Sequence, residues 1–177
     1  MKICCLTIVD DIENNRVLMV ENQRGINKGY MNFPGGKREF DETIEYSNVR
    51  ETMEETGIIP LNMRELGKIE YQPVGIEMHI FYTNEYKGRI RDKEGETKAK
   101  WVDRDHIPFD RMRSSDIEWV KNALTKQDRI NKRVTYKEND EYTIEDIFEN
   151  IEKYKKRYKA FIELKKRRLL NKGNCWS

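Results

Sequence analysis

The sequence predicts an α+β fold followed by one long C-terminal helix, and three observations support this. Short runs of β-branched and apolar residues recur along the chain, separated by Gly, Pro and Asn, as strands and turns require. Residues 43–56 contain neither Gly nor Pro and predict a helix. A chain of 177 residues has room for one domain and an extension. We place the domain at residues 1–140 and a basic helical extension at residues 141–177.

The chain is expected to enter the domain through a β-hairpin. Residues 3–9 and 16–20 have strand composition, and the Glu-Asn-Asn segment at 13–15 favours a turn between them. A polar loop at residues 22–30 then precedes a short strand at residues 31–33. In an open fold, such a loop lies at the mouth of a ligand site.

The second half of the domain is expected to contain more strands and one more helix. Strands are predicted at residues 66–74, 77–82, 97–102 and 130–137. Ser114 or Ser115 is the expected N-cap of a helix that runs to residue 124, because Asp116 and Glu118 in its first turn suit the positive end of the helix dipole.

The predicted C-terminal helix begins at Thr143 and carries an apolar stripe near a 3.6-residue period. The stripe consists of Ile144, Ile147, Phe148, Ile151, Tyr154, Tyr158, Phe161, Ile162 and Leu169. Acidic residues come first along it and basic residues last, which complements the helix dipole. The stripe can dock on the core or on another subunit, so a homodimer through this helix is one expectation. The basic end could touch RNA, but solvated charge is commoner, and no nucleic-acid partner is expected.

Composition argues against several functional classes. Charged and hydrophobic residues each make up 37% of the chain and the formal net charge is +2, which favours neither a nucleic-acid binder nor a protein specialised for acidic substrates. No apolar run approaches the ~18 residues of a membrane span. The three cysteines do not have the spacing of metal ligands, and we expect them to be reduced thiols. We therefore expect a cytoplasmic protein with no membrane partner.

The helix at residues 43–56 has two different faces. At about 100° per residue, Glu51, Glu54 and Glu55 fall within one arc. The opposite side, which is expected to pack on the core, carries Tyr46, Val49, Met53 and Thr56. Carboxylates three and four residues apart repel each other, and a bound cation relieves that repulsion. A solvated acidic face is the simpler alternative for these three glutamates taken alone.

The ligand chemistry of this helix favours magnesium. All-oxygen ligation suits Mg²⁺ or Mn²⁺ better than zinc, and Mg²⁺ prefers few protein carboxylates together with water and substrate phosphates. The acidic face therefore predicts a phosphorylated ligand. Gly35 and Gly36, which precede the helix, let the backbone approach that ligand closely.

The spacing of residues 36–58 is more specific than any of these residue types. Gly36 is followed by five residues and Glu42, then by seven residues and Arg-Glu-x-x-Glu-Glu-x-Gly at residues 50–57. This segment resembles the Nudix box, and the chain is similar to Nudix hydrolases. At any one starting position in a sequence, this set of residues at this fixed spacing arises by chance less often than about one time in a million. Thr52 occupies a slot that is aliphatic in the family, which is a mild departure.

The resemblance implies an α/β/α sandwich with a mixed sheet, and Mg²⁺-dependent hydrolysis at phosphorus, with Mn²⁺ as an alternative ion. Its substrates are nucleoside diphosphates linked to another group. It implies metal ligands at Gly36, Glu51, Glu54, Glu55 and Glu96. The last of these comes from a later loop, where Glu94 is the competitor. Arg50 is expected to join the glutamates in catalysis by orienting a carboxylate through a charge-assisted hydrogen bond.

Within the family, the chain is most similar to MutT-type enzymes, which hydrolyse oxidised purine nucleoside triphosphates such as 8-oxo-dGTP to the monophosphate and pyrophosphate. The similarity spans roughly residues 5–124 and is less specific than the Nudix box. The substrate-binding residues that it implies are Arg24, Asn32, Gly35, Gly36, Arg113 and Asp116. The side-chain amide of Asn32 can both donate to and accept from a purine edge.

One departure from the MutT-type pattern affects the base site. Relatives that bind oxidised purines carry Trp and a pair of Asp after the residue equivalent to Met112, whereas this chain has Arg113, Ser114, Ser115 and Asp116. The guanidinium of Arg113 is a candidate to stack on the base in place of the indole. This departure affects the expected identity of the bound base more than it affects the expected hydrolysis reaction.

Two other hypotheses compete with this one. Hydrolysis of ADP-ribose or another nucleoside diphosphate derivative would use the same metal site. A ligand-sensing or RNA-binding module that keeps the fold is a different class of protein. The intact set of Glu51, Glu54 and Glu55 argues against that class, because a pure binder has no need of all three.

Overall fold

The computed structural model describes residues 1–125 and 129–147. The helices are α1 (Ile44–Thr56) and α2 (Ser114–Thr125). The strands are β1 (Lys2–Asp11), β2 (Arg16–Asn22), β3 (Met31–Asn32), β4 (Gly35–Lys37), β5 (Ile58–Leu61), β6 (Arg64–Gln72), β7 (Ile76–Thr83), β8 (Glu85–Gly88), β9 (Thr97–Asp103), β10 (Ile130–Tyr136) and β11 (Tyr142–Asp146). The predicted N-terminal hairpin, the strands after α1 and the second helix are all present, within a few residues of their predicted bounds.

A mixed nine-stranded sheet forms the middle of the domain, counted over the described residues. Its main path runs β11-β10-β6-β7-β1-β2-β3, while β4 pairs with β1 and β9 pairs with β2. β1 runs parallel to β7, and β10 runs parallel to β6. β1 pairs with β4 near its start and with β2 near its end. The glycine-containing strand β4 is thereby held against the centre of the sheet.

The two helices cover opposite faces of the sheet. Side chains alternate along β1, so Leu6 and Ile8 point to one face while Cys5 and Thr7 point to the other. Leu6 and Ile8 belong to the main core together with Trp119 of α2. Cys5 and Thr7 contact side chains of α1. The predicted arrangement of two helices around a mixed sheet is confirmed.

A small two-stranded sheet, formed by β5 and β8, was not predicted from the sequence. The two strands pair antiparallel, with Ile58 opposite Gly88. Ile58 is buried in a second apolar cluster with Val9 and Leu18, against which Tyr86 also packs. This small sheet directly follows α1 and fixes the C-terminal end of that helix to the domain.

The ends of α1 agree with the sequence, but its buried face does not. The Thr43 side chain accepts a hydrogen bond from Tyr46 N at the start, and Gly57 ends the helix in a left-handed conformation with φ of 75°. The buried residues of α1 are Ser47, Asn48, Thr52 and Thr56. Tyr46 is 62% exposed and Met53 is 37% exposed. The prediction that these two residues pack on the core was therefore wrong.

The reason lies in the strand beneath α1, which presents polar side chains. Thr7 of β1 donates a hydrogen bond to Asn48 Oδ1 and lies 2.9 Å from Thr52 Oγ1. Thr52 Oγ1 also donates to Asn48 O at 2.8 Å. A hydroxyl at residue 52, where the family has an aliphatic side chain, is accommodated because Thr7 and Asn48 supply its partners. Buried polar groups without such partners would be costly.

The predicted C-terminal helix does not begin at Thr143, because Tyr142–Asp146 forms strand β11 at the edge of the sheet next to β10. Tyr142 and Ile144 pack against the main core, while Thr143 and Glu145 are exposed. This alternation follows the two-residue period of a strand. The rest of the predicted helix, from residue 148 onward, lies outside the described residues, as do its basic end and its predicted homodimer contact.

A compact unit spans Met1–Glu145. The division of the chain after residue 140 into a domain and an extension stays a prediction.

Within residues 1–125 and 129–147, no helix is both long enough and apolar enough to cross a membrane. Cys4 and Cys5 are free thiols, as expected, and Cys175 lies outside the described part of the chain.

Candidate active site

Strand β4 brings two glycines into contact with the acidic face of α1. Gly36 pairs with Cys5 of β1. A Cβ atom at Gly35 would lie 2.0 Å from Cys5 O, and one at Gly36 would lie 2.4 Å from the carboxyl carbon of Glu51. Gly35 N donates a hydrogen bond to Glu55 Oε2 at 2.9 Å. A side chain at Gly35 would clash with the backbone of β1, and one at Gly36 would displace the Glu51 carboxylate from its position. The two glycines thus let the backbone meet two of the three glutamates.

Arg50 links the loop to the glutamates of α1. Its Nε and Nη2 atoms donate to the two carboxylate oxygens of Glu42, at 2.5 and 2.9 Å. This hydrogen bonding lowers the pKa of Glu42 to about 2. Arg50 Nη1 lies 2.9 Å from Glu51 Oε1 and 3.5 Å from Glu54 Oε2. Glu42 thus fixes the guanidinium, and the guanidinium in turn orients two carboxylates.

Burial raises the pKa of two of these glutamates. The pKa of Glu55 is raised to about 7, mainly by burial and also by the negative charges of Glu51 and Glu96, against the hydrogen bond from Gly35 and the charge of Lys93, which lower it. For Glu51, burial raises the pKa, the hydrogen bond with Arg50 lowers it, and the charge of Glu54 raises it. The positively charged side chains of the protein therefore compensate only part of the negative charge on this face of α1.

The loop before β9 adds a fourth carboxylate, Glu96. Glu96 forms ion pairs with Lys93 at 2.9 Å and with Arg24 at 2.7 Å. Lys93 Nζ also lies 3.6 Å from Glu54 Oε2, so it connects the loop to α1. The competitor Glu94 is exposed. We call Glu51, Glu54, Glu55 and Glu96 the acid cluster.

The acid cluster suits a divalent ion by its chemistry. Within the described ranges, no three His, Cys, Asp or Glu side chains already converge as a metal site. Arg50 and Lys93 instead form ion pairs with several of the carboxylate oxygens. All the donors are oxygens, as Mg²⁺ and Mn²⁺ prefer. Crowded and partly buried carboxylates of this kind are stabilised by added positive charge.

A cavity of about 430 Å³ lies on the face of β1 that carries Leu6, which is the face opposite to α1. Its lining residues come from β1, β3 and the loop before β3, from β6, β7 and the turn between them, from β10, and from α2 and the residue before it. They are Leu6, Ile26, Asn27, Asn32, Tyr71, Val74, Ile76, Met78, Arg113, Asp116 and Tyr136. Leu6 pairs with Gly35, whose N–H donates to Glu55, so the paired strands β1 and β4 connect the cavity to the acid cluster. The volume suits a small organic ligand such as a purine nucleoside.

Asp116 is the buried carboxyl group of this cavity. Its Oδ1 accepts hydrogen bonds from Tyr71 OH at 2.8 Å and from Trp119 Nε1 at 3.2 Å. Ser115 Oγ lies 3.4 Å from the same oxygen. Burial raises the pKa of Asp116, and the hydrogen bonds from Tyr71 and Trp119 lower it. Three donors on Oδ1 fix the orientation of the carboxyl group.

Asn32 and Arg113 line the same cavity, whereas Arg24 lies at the acid cluster. Asn32 Oδ1 accepts a hydrogen bond from Phe33 N at 2.8 Å, which fixes its amide plane. The Arg113 guanidinium lies 5.4 Å from the centre of the Tyr30 ring and donates to Asn27 Oδ1. The predicted site residues thus divide into a group around the glutamates and a group around the cavity.

Three residues of these two groups were not predicted from the sequence. Lys93 belongs to a charged loop in which neighbouring residues of the same type are solvated. Tyr71 and Tyr136 lie on β6 and β10, far apart in the chain, and their rings stack with centroids 6.4 Å apart. Alternation along each strand indicates which side chains share a face, but no local pattern indicates that these two line a cavity with Asp116.

Comparison with known proteins identifies the family. Residues 3–123 match the NUDIX domain. The chain belongs to the NUDIX domain family. The predicted Nudix hydrolase is confirmed, and enzymes of this family generally use a divalent metal.

The relatives of this Nudix protein include MutT-type enzymes. An oxidized purine nucleoside triphosphate hydrolase of Danio rerio is 34% identical over 126 residues, which cover 69% of this chain and 80% of the relative. The enzyme of the same name from Mus musculus is 32% identical over 125 residues, covering 68% and 80%. The MutT protein of Bacillus halodurans superposes with a TM-score of 0.69 at 24% identity, over 82% of this chain and 98% of that one. This last comparison shows the fold alone.

Proposed function

We propose that this Nudix protein hydrolyses an oxidised purine nucleoside triphosphate, such as 8-oxo-dGTP, to the monophosphate and pyrophosphate with Mg²⁺. The observation that carries the proposal is the link between the two groups of residues through the paired strands β1 and β4. Leu6 of β1 lines a nucleoside-sized cavity with a buried carboxyl group, and Gly35, which pairs with Leu6, donates a hydrogen bond to Glu55 of the acid cluster. A nucleotide whose base enters the cavity therefore has its phosphates near the acid cluster. The names of the two animal relatives support the same substrate class.

Glu51, Glu54, Glu55 and Glu96 would hold the metal, with help from the Gly36 carbonyl. A Mg²⁺ ion bound there supplies charge neutralisation for the phosphates and a water of lowered pKa. Arg50 keeps Glu51 and Glu54 oriented, because Glu42 holds its guanidinium from the other side. Mn²⁺ has the same ligand preferences and would substitute.

The cavity would select the base through two polar side chains. Asp116 keeps Oδ1 bonded to Tyr71 and Trp119, which leaves Oδ2 as the oxygen directed to a ligand. Asn32 presents an amide that both donates and accepts. Arg113 lines the cavity where a guanidinium can stack on a base plane. These contacts would distinguish purine edges by hydrogen bonding, since a buried polar group left unpaired is costly.

The experiment that tests this function is a panel of nucleotides assayed for pyrophosphate release with Mg²⁺. The panel contains oxidised and canonical dGTP and dATP, together with ADP-ribose. We expect the highest kcat/KM on an oxidised purine triphosphate, by at least about tenfold over its canonical counterpart. Equal rates on oxidised and canonical dGTP would remove the sanitising role, and preference for ADP-ribose would replace the substrate class.

Two further parts of the proposal concern context. A nucleotide-pool enzyme works where free nucleotides are, so we propose a cytoplasmic location. The substrate is a free nucleotide, and neither a nucleic-acid partner nor a membrane is part of the proposed reaction.

A further inference from the structure

The acid cluster already contains a cation that belongs to the protein, the ammonium group of Lys93. Lys93 Nζ lies 2.9 Å from Glu96 Oε2 and 3.6 Å from Glu54 Oε2. One ammonium group thus joins a carboxylate of α1 to a carboxylate of the loop before β9. A tight turn fixes Lys93 beside Glu96, because Glu96 N and Thr97 N both donate to Lys93 O at 3.0 Å.

We infer that Lys93 is a resident counter-cation, which a divalent metal must displace from Glu54 and Glu96, and which therefore sets the metal concentration that the enzyme needs. The inference rests on the proposed function, since it takes the acid cluster as the metal site. It adds a residue that no part of the reaction described above requires. Lys93 is in this sense a positioning residue, which acts through the two glutamates.

Three cationic side chains contact the acid cluster, and they differ in how firmly they are held. Arg24 is 68% exposed and pairs with Glu96, whereas Lys93 is the displaceable cation that bridges Glu54 and Glu96. Arg50 is held from behind by both oxygens of Glu42, and its side chain is 18% exposed. Lys93 is 31% exposed and has a flexible stem that ends in a compact ammonium group. Partly exposed ion pairs are weak, so Lys93 can move into solvent at little cost when a metal arrives.

Two opposite effects of Lys93 on metal binding have to be weighed. Its ion pairs hold Glu54 and Glu96 near each other, which favours metal binding. Its positive charge competes for the same oxygens and repels a divalent ion at short range, which opposes metal binding. A divalent ion can hold the two carboxylates together by itself, so the favourable effect of Lys93 is not needed once the metal is bound. The unfavourable effect, competition and repulsion by the ammonium charge, remains. The net expectation is that removing the ammonium tightens metal binding.

The test is a Mn²⁺ titration of the nucleotide-free protein, followed by electron paramagnetic resonance of the free ion and by calorimetry. Lys93→Met keeps the length of the stem and removes the charge. We expect it to bind Mn²⁺ about tenfold more tightly than the wild type. Lys98→Met is the matched control, because Lys98 is an exposed lysine on β9 and its removal changes the net charge equally. Its Mn²⁺ affinity should stay within about twofold of the wild type.

A second variant keeps the inference testable if Lys93→Met folds poorly with its carboxylates uncompensated. Lys93→Arg places a guanidinium fork between the same glutamates, and two parallel hydrogen bonds hold carboxylates more firmly than one ammonium does. We expect weaker Mn²⁺ binding in this variant, opposite in direction to Lys93→Met. Thermal unfolding adds a readout: the Tm deficit of Lys93→Met without metal should disappear at saturating Mn²⁺.

The outcomes separate this inference from the proposed function. If the wild type binds Mn²⁺ and hydrolyses a nucleotide, but Lys93→Met binds Mn²⁺ equally or more weakly, the inference about Lys93 is wrong and the proposed function stands. If the wild type neither binds Mn²⁺ nor hydrolyses any member of the panel, both are wrong. Tighter binding in Lys93→Met with unchanged binding in Lys98→Met supports the inference.

Discussion

The acid cluster and the cavity are connected through the paired strands β1 and β4, yet they are built on opposite physical principles. The acid cluster consists of like charges, partly exposed and bridged by Arg50 and Lys93. The cavity is lined mainly by apolar and aromatic side chains around one buried carboxyl group. Charge near solvent suits the binding of phosphate and metal, whereas an apolar cavity with few polar groups suits the selection of a base. We therefore expect mutations in the two regions to change different kinetic constants.

The largest effect is expected at the acid cluster. Glu54→Gln removes a charged oxygen ligand without changing the shape of the side chain, and we expect kcat to fall by about 10³-fold. Discrimination between oxidised and canonical dGTP should stay within about twofold, because the cavity is untouched. Steady-state kinetics on both nucleotides measures the two quantities.

Glu94→Gln is the matched control for this change, since Glu94 is exposed in the neighbouring loop. It should retain wild-type kcat. An equal loss of activity in Glu54→Gln and Glu94→Gln would contradict the assignment of catalysis to the acid cluster. It would show that turnover depends on the total negative charge of this region.

A smaller and different effect is expected in the cavity. Asp116→Asn replaces an acceptor-only carboxylate with an amide, and we expect kcat/KM on the oxidised nucleotide to fall by about 10- to 100-fold. Mn²⁺ affinity without nucleotide should not change. Glu118→Gln is the control on the same helix, because the Glu118 side chain is 59% exposed. Loss of Mn²⁺ binding in Asp116→Asn would show that the two regions are not independent.

A third change affects the support of the acid cluster rather than its chemistry. Thr52→Val restores the aliphatic side chain typical of the family but removes the hydroxyl that Thr7 and Asn48 contact. We expect the free energy of unfolding to fall by about 1–2 kcal/mol, measured by urea denaturation. Thr125→Val is the control, since Thr125 is exposed and its hydroxyl also donates to a carbonyl four residues earlier. Equal losses in the two variants would show that burial is not the cause.

The smallest effect is expected beyond the sheet. A chain that ends at Ile147 keeps β11, and we expect its kcat/KM to stay within about twofold of the wild type, because every residue of both regions precedes that point. A chain that ends at residue 140 loses Tyr142 and Ile144 from the edge of the core and should unfold at lower temperature. If the longer truncation product is inactive, the C-terminal residues contribute to the site or to a required assembly.

The acid cluster could be predicted from sequence because it is almost continuous in the chain. Fixed spacing from Gly36 to Gly57 places a glycine strand beside a helix with glutamates on one arc, and the structure has this arrangement. Glu96, which comes from a loop 40 residues later, was expected only through the family resemblance. The structure connects it to Glu54 through Lys93.

The cavity and two packing details could not be predicted in the same way. Tyr71 and Tyr136 meet through pairing of β6 with β10, and α2 brings Asp116 to Tyr71, which no local pattern indicates. The start of the predicted C-terminal helix has apolar residues at helical spacing, but pairing with β10 makes Tyr142–Asp146 a strand, and tertiary context outweighs such short patterns. Tyr46 and Met53 face outward because β1 offers hydroxyl partners in place of an apolar surface.

The polar contact between α1 and β1 has a consequence for precision. Apolar side chains would tolerate small rotations of a helix about its own axis, because dispersion contacts have no strong directional preference. The hydrogen bonds among Thr7, Asn48 and Thr52 lengthen and bend at once if α1 turns or slides. They hold the helix at a single rotation about its axis, and the glutamates of the same helix are positioned with the same tolerance.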